Sequence, residues 1–214
     1  MVASRRRERQ KGAMPQAAAS SHQPARAVVV FCGSRTGHDP ALLAATRQLG
    51  AGLATRGIGL VYGGGRIGLM GALADAALAA GGSVTGVIPA FLTQWEVAHE
   101  GLTALHVTSS MHSRKQMMFE LSDAFVCMPG GFGTLDETVE MITWRQLRLH
   151  DKPVFVVDVN GWAKAFLTTL RSTVEQGFAD ESSLGLFEVV STVDALLQRL
   201  ESLPVPAPAS AARL

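Results

Sequence analysis

Residues 27–34 read Ala27-Val28-Val29-Val30-Phe31-Cys32-Gly33-Ser34, an unbroken apolar run, mostly β-branched, that ends in a glycine turn. Such a run suits a strand buried on both faces, the situation of a strand inside a parallel sheet. The segments after it decide the fold. Residues 39–56 have helical periodicity, with Asp39 as N-cap and Pro40 at the first helical position. Gly59-Leu60-Val61-Tyr62 is a second strand that ends in Gly63-Gly64-Gly65, and residues 68–80 read as a helix of small side chains. The cycle repeats: strand Ser83–Ile88 stopped by Pro89, an irregular or partly helical stretch over 90–102, and a short strand Ala104–Val107. Then come helix 112–122, strand Ala124–Met128, helix 133–149, strand Pro153–Val159, helix 162–176, the short strand Val189-Val190 and a closing helix 192–201. Strand alternating with helix predicts an α/β fold: a Rossmann-like, doubly wound, mostly parallel sheet with helices on both faces, in a single domain over residues 26–203.

The flanks differ in composition. Residues 1–25 are polar and carry Arg5, Arg6, Arg7, Arg9 and Lys11; they read as a disordered basic leader, and 204–214, with alternating prolines, as a flexible tail. Over the whole 214 residues, 47% hydrophobic and 17% charged side chains specify a globular chain. The net charge is +1, and without the leader it falls to about −3. That balance excludes a nucleic-acid binder working by general electrostatics, so any basic site must be local. No stretch is apolar and long enough to span a bilayer, and the basic start lacks the apolar core of a secretory signal; a cytoplasmic location is expected, with no membrane partner. Cys32 and Cys127 lie far apart, each at the end of a predicted buried strand, and read as reduced, small, apolar fillers. The six histidines, His22, His38, His99, His106, His112 and His150, are scattered without ligand spacing, so no metal is expected.

In open parallel sheets the ligand crevice lies beyond the carboxyl ends of the strands. Three glycine turns occupy that edge: Gly33-Ser34-Arg35, Gly63-Gly64-Gly65, and Gly130-Gly131-Phe132-Gly133-Thr134. Glycine permits positive φ and lets backbone N–H groups approach an anion, but it also serves simply to make tight strand–helix connections. The third turn opens into a helix whose unpaired N–H groups and partial positive charge could seat a phosphate, with the Thr134 hydroxyl as a further donor. Gly63, Gly65 and Gly68 match G-x-G-x-x-G, yet after the second strand rather than the first, and Ser83–Ile88 ends without an acidic residue, which disfavours NAD. Arg114 and Lys115 stand near the start of the helix before the third turn, where cations oppose the helix dipole unless an anion or carboxylate offsets them. Asp136, Glu137 and Glu140 stand on the helix after it, and could equally be ordinary N-terminal acidic residues; Glu137 and Glu140, three apart, share a helix face.

Pro129-Gly130-Gly131-Phe132-Gly133-Thr134-Leu135-Asp136-Glu137 resembles the P-G-G-x-G-T-x-x-E signature of the LONELY GUY family. Those are cytokinin riboside 5′-monophosphate phosphoribohydrolases, long mislabelled as lysine decarboxylases. Gly33-Ser34, Tyr62-Gly63-Gly64-Gly65, Gly68-Leu69-Met70-Gly71, Gly86-Val87-Ile88-Pro89, Met111-His112-Ser113-Arg114-Lys115 and Trp144 fall in the family's order, and the resemblance spans about residues 26–200. It implies Arg114 and Glu137 as catalytic residues. It implies Glu96, Lys115 and Thr143 as substrate contacts and the loop Gly130, Gly131, Gly133, Thr134 as the seat of the 5′-phosphate, beside Gly33 and Ser34. It also implies hydrolysis of the N-glycosidic bond of an N6-modified adenosine 5′-monophosphate, without a cofactor, by a homodimer or higher homo-oligomer. The apolar helix Leu135–Leu149, with Met141, Ile142, Trp144 and Leu147, is the candidate contact.

Two other functions compete with this one. A pyridoxal-phosphate decarboxylase needs a Schiff-base lysine; of Lys11, Lys115, Lys152 and Lys164 only Lys115 is near the crevice, in unsuitable surroundings. A non-catalytic nucleotide or molybdenum-cofactor carrier would need the glycine loop but not the Arg114, Lys115 and Glu137 set. The sequence leaves the preferred base open: Phe91, Trp95, Met117 and Met118 could line an apolar base pocket or belong to the core.

Overall fold

A computed structural model describes residues 26–93 and 97–204; the expected leader over 1–25, nearly all of the expected tail, and the positions of Trp95 and Glu96 lie outside them. Seven parallel strands form one sheet in the order β4-β3-β2-β1-β5-β6-β7: β1 Ala27–Phe31, β2 Gly59–Tyr62, β3 Val84–Pro89, β4 Ala104–Thr108, β5 Ala124–Cys127, β6 Val154–Val157 and β7 Glu188–Val190. Six α-helices connect or follow them: α1 Pro40–Thr55, α2 Gly68–Ala79, α3 Met111–Glu120, α4 Phe132–Gln146, α5 Lys164–Glu175 and α6 Val193–Ser202. The doubly wound parallel sheet expected from the alternation is therefore what forms.

The apolar run of β1 explains the layering. With a side-chain period of two, Val28 and Val30 pack with Leu49, Leu53, Leu73 and Leu197 from α1, α2 and α6. Val29 and Phe31 face the other way, onto Met118, Phe119 and Met141 from α3 and α4. Both faces are covered, so no polar alternation is needed. Asp39 caps α1 as expected, its carboxylate accepting the Ala41 N–H at 2.8 Å.

Chain order reverses between β1 and β5, which pair with Val28 beside Ala124 and Phe31 beside Cys127. The loops leaving these two strands run in opposite directions, which opens the crevice at this point. They are stitched together by the Gly33 N–H donating to the Pro129 carbonyl at 3.0 Å.

Most boundaries shift by one or two residues, and two of the shifts have a clear backbone cause. α4 ends at Gln146, not 149, because Arg148 takes a left-handed conformation (φ 59°) and folds the chain back. β6 stops at Val157, and Asn160 and Gly161, both with positive φ, turn the chain toward α5. The expected oligomer contact also needs correction. Of the residues named for it, Met141 and Ile142 are buried in the chain's own core, whereas Leu147 is exposed and Trp144, partly buried, borders the outer face of α4 with Leu135, Val139 and Thr143.

Candidate active site

α3 begins with a capping box in which Ser110 and Ser113 satisfy each other's backbone N–H groups. This fixes where its inward stripe starts. Arg114 sits four residues before Met118 on that stripe, and both are buried. Arg114 is only 5% exposed, and its guanidinium lies across the end of β2, where Nη2 donates to the Gly63 carbonyl at 3.3 Å. Gly63 must be a glycine for this: a Cβ there would lie 2.2 Å from Arg114 Nη2.

Glu137 occupies the inward stripe of α4 with Thr134, Thr138 and Met141. At 8% exposure it is not an ordinary solvated acid of a helix start. Its Oε1 lies 4.0 Å from Arg114 Nη2, so the buried carboxylate faces a buried cation, the arrangement that burial of charge requires. The two residues line a cavity of about 220 Å³ together with Cys32, Gly63, Thr134 and apolar Met70, Leu92 and Met111. Burial first, then the neighbouring Glu137 carboxylate and Cys127, push the Cys32 thiol far above the ordinary range. It is a neutral wall there, not a nucleophile.

The N-terminus of α4 borders the same cavity. Its N-cap is Gly131, with no side-chain cap, and the first helical bond runs only from Leu135 N–H to the Gly131 carbonyl. The glycines of this turn divide in two. Gly130 is required by packing, since a Cβ would meet Thr134 Oγ1 at 2.1 Å, but at Gly131 and Gly133 an added Cβ would have nothing within 4 Å. Packing therefore does not explain those two, whereas close approach of a ligand to the backbone would.

The G-x-G-x-x-G match has a different explanation. The Leu69 and Met70 N–H groups at the start of α2 both donate to the Gly33 carbonyl, at 3.0 and 3.2 Å. Gly68 (φ 62°) presses against the Ser34 backbone, where a Cβ would lie 2.3 Å from its carbonyl carbon. Gly68 thus serves contact between two loops, Gly63 makes room for Arg114, and the α2 terminus is already filled.

The remaining predicted site residues divide. Gly33 and Ser34 line the cavity. Lys115 does not: its Nζ pairs with Glu140 at 2.8 Å and Asp136 at 3.3 Å on the outer side of α3 and α4. Although burial opposes the charge, the bonds to these carboxylates outweigh it and raise the ammonium's pKa. Thr143 is exposed on the outer face of α4, its hydroxyl donating to the Val139 carbonyl at 2.8 Å. The candidate base pocket is also revised: Met118 is core, Met117 packs against that core and Phe91 is largely exposed. Of the other residues lining the cavity, Met70 and Met111 fall in stretches that carry the resemblance, which assigns them no role, while Cys32 and Leu92 carry no signal of it in the sequence, where they read as strand end and loop. A second cavity of about 550 Å³ adjoins this one across Gly33, Ser34, Gly131 and Phe132. Among the described residues no group of three or more His, Cys, Asp or Glu side chains is placed to hold a metal ion.

Comparison with known proteins bears on the family. A family model described as "Possible lysine decarboxylase" matches residues 70–200. A protein of Oryza sativa subsp. japonica named probable cytokinin riboside 5′-monophosphate phosphoribohydrolase is 42% identical over 88% of this chain and 77% of its own. The cytokinin riboside 5′-monophosphate phosphoribohydrolase of Rhodococcoides fascians is 39% identical, over 83% of this chain and 90% of its own. An Arabidopsis thaliana enzyme of that name is 40% identical over 81% and 82%. Among solved structures, the molybdenum cofactor binding protein of Rippkaea orientalis superposes with a TM-score of 0.63 at 21% identity, covering 83% of this chain and 96% of its own. The Moco carrier protein of Chlamydomonas reinhardtii gives 0.62 at 22%, covering 82% and 95%; at such identities the likeness is one of fold. With two-fifths of its residues shared over four-fifths of its length, and with Arg114 set against Glu137 at the head of the glycine loop, the chain belongs to the LONELY GUY family of phosphoribohydrolases.

Proposed function

We propose that the protein hydrolyses the N-glycosidic bond of an adenosine 5′-monophosphate, N6-modified as in cytokinin ribosides, releasing the free base and ribose 5-phosphate. The observation that carries this reading is the buried Glu137 carboxylate 4.0 Å from Arg114, one helical turn from backbone N–H groups suited to a phosphate. The relatives are named for this reaction. The phosphate seats on the N-terminus of α4, which sets the anomeric carbon against Glu137. As the C1′–N9 bond breaks, its electron pair leaves with the base and positive charge grows on the ribose; the carboxylate stabilises that charge and orients the attacking water. Water oxygen bonds to C1′, and one of its protons ends on the departing base. Arg114 holds Glu137 and the sugar electrostatically; a guanidinium is suited to charge stabilisation and not to passing a proton. Met70, Leu92 and Met111 give the base an apolar wall.

The same reading places the protein in the cytoplasm, in keeping with two unpaired, buried thiols and, among the described residues, no helix long and apolar enough to cross a membrane. It also makes the outer stripe of α4 a contact between two copies. Lys115 and Thr143 stand on that side, so in a dimer they serve the partner's crevice. The test is to incubate the purified protein with AMP and with prenylated AMP and to measure free base and ribose 5-phosphate. Wild type releases both and Glu137→Gln, isosteric and still folded, loses at least about 10²-fold in kcat. A Glu137→Gln protein as active as wild type would remove the carboxylate from the mechanism.

A further inference from the structure

The cavity beyond the glycine loop, about 550 Å³, is lined by neither Glu137 nor Arg114. It lies between the β1–α1 loop, Trp162 and Pro129–Phe132, and it meets the cavity of Glu137 at the open end of α4. An anion at that end would sit on the shared wall and face both compartments. The helix terminus contributes only a partial positive charge, whereas a phosphate monoester carries nearly two negative charges at neutral pH.

The two cations of α3 are engaged elsewhere. Arg114 is directed at Glu137 and the Gly63 carbonyl, and Lys115 at Glu140 and Asp136 on the outer side. The guanidinium that lines the larger cavity is that of Arg35, exposed on the β1–α1 loop. No carboxylate lines this cavity among the described residues. The nearby Asp39 is committed, accepting from the Ala41 N–H at 2.8 Å and from Asn160 Nδ2 at 3.0 Å. The loop is also held in place: Gly33 N–H bonds to Pro129, and a Cβ on Gly33 would lie 2.9 Å from the Arg35 carbonyl oxygen and 3.3 Å from Gly130 Cα. Arg35 is thus carried on a backbone in contact with the loop that opens α4.

We propose that Arg35, carried on the β1–α1 loop whose Gly33 and Ser34 border the phosphate seat, is a further residue of the phosphate subsite, meeting the anion from the larger cavity. In this arrangement the α4 amides position the phosphate and Arg35 supplies the full charge that separates a nucleotide from an unphosphorylated nucleoside. The inference rests on the nucleotide reading above but concerns binding, so it can be tested without turnover.

Titration calorimetry with AMP, and competition by inorganic phosphate, would be compared for wild type, Arg35→Ala and Arg35→Lys; steady-state kinetics with AMP would run in parallel. An exposed loop position should leave the melting temperature of the variants near that of wild type. A hydrogen bond to a charged group corresponds to about a 10- to 100-fold loss. Arg35→Ala is expected to weaken AMP and phosphate binding by that factor and raise KM likewise, with kcat changed far less. Arg35→Lys should recover part of the affinity by restoring charge without the planar fork. Arg35→Ala binding AMP as wild type does would overturn the subsite. Wild type that binds AMP in an Arg35-dependent way yet releases no base would overturn the hydrolase reading and leave the subsite standing; wild type that binds no AMP would overturn both.

Discussion

Gly133→Ala should separate stability from function at the head of α4. Gly133 is the second residue of that helix, and a methyl group there would meet nothing within 4 Å. Alanine favours a helix over glycine by up to about 1 kcal/mol in the interior, and about half of that is a fair figure for a first turn. For a domain of this size 1 kcal/mol moves Tm by about 2–4 °C, so the variant should melt about 1–2 °C higher. Function should move the other way. Cβ bonds in a helix tilt toward its N-terminus, so the added methyl stands over the amides that an anion must reach. An N–H···O contact needs its heavy atoms about 2.9 Å apart, and holding the phosphate off by even about 1 Å misaligns the sugar with Glu137 at a cost of about 10²-fold in kcat/KM. Scanning fluorimetry and chromatographic assay of adenine released from AMP measure the two effects on one sample. A variant that melts slightly higher and keeps kcat/KM within about twofold of wild type would refute the idea that these amides hold the substrate.

Gly63→Ala tests the seat of Arg114 from the other side. The new Cβ would lie 2.2 Å from Arg114 Nη2 and 3.0 Å from Met70 Sδ, so the guanidinium must shift by more than about 1 Å at a stability cost of about 1–3 kcal/mol; turnover should fall at least about 10²-fold, and unaltered turnover would show that Arg114 need not rest on the β2 turn. His150 is buried between Phe119 and Phe125, bonded through Nε2 to the Met141 carbonyl, and burial above all lowers its pKa. The unfolded chain therefore takes up this proton first, so its contribution to stability is complete above about pH 6.5 and declines as pH falls below it. Melting curves between pH 7.5 and 5.5 should slope less steeply in His150→Gln, and identical slopes would assign the acid sensitivity to other groups.

The layering was legible because it depends on pattern: the short, β-branched run Val28–Phe31 suits a two-sided strand, and each glycine turn marked a strand end at the correct edge. Asp39 and Pro40 announced α1 by local chemistry alone. Other features depended on contacts between distant segments. That α4 ends at Gln146 follows from a left-handed Arg148, which no glycine or proline signals. The G-x-G-x-x-G spacing is satisfied equally by a phosphate loop and by one loop pressing on another, and only the Gly33 carbonyl over Leu69 and Met70 decides between them. Arg114 and Glu137 are singled out in the sequence by the family resemblance; the charge pattern alone leaves Lys115, Asp136 and Glu140 equally eligible, and only the structure sets the two side chains on facing inward stripes 4.0 Å apart. Lys115, alike in charge and adjacent in sequence, turns outward because a helix rotates about 100° per residue. Arg35 carried no motif of its own and is recognisable only beside the cavity it lines.

The plugging of α2 by a peptide oxygen from the β1 loop has one more consequence. A crevice between two helix starts would ordinarily offer two electropositive poles, and an elongated anionic molecule could enter head-first or tail-first. Of these two helix starts a single pole survives, so under the proposed function the crevice would behave like a keyed socket: the charged tail would have one place to go, and the sugar's reactive edge would be turned toward Glu137 before any bond is strained.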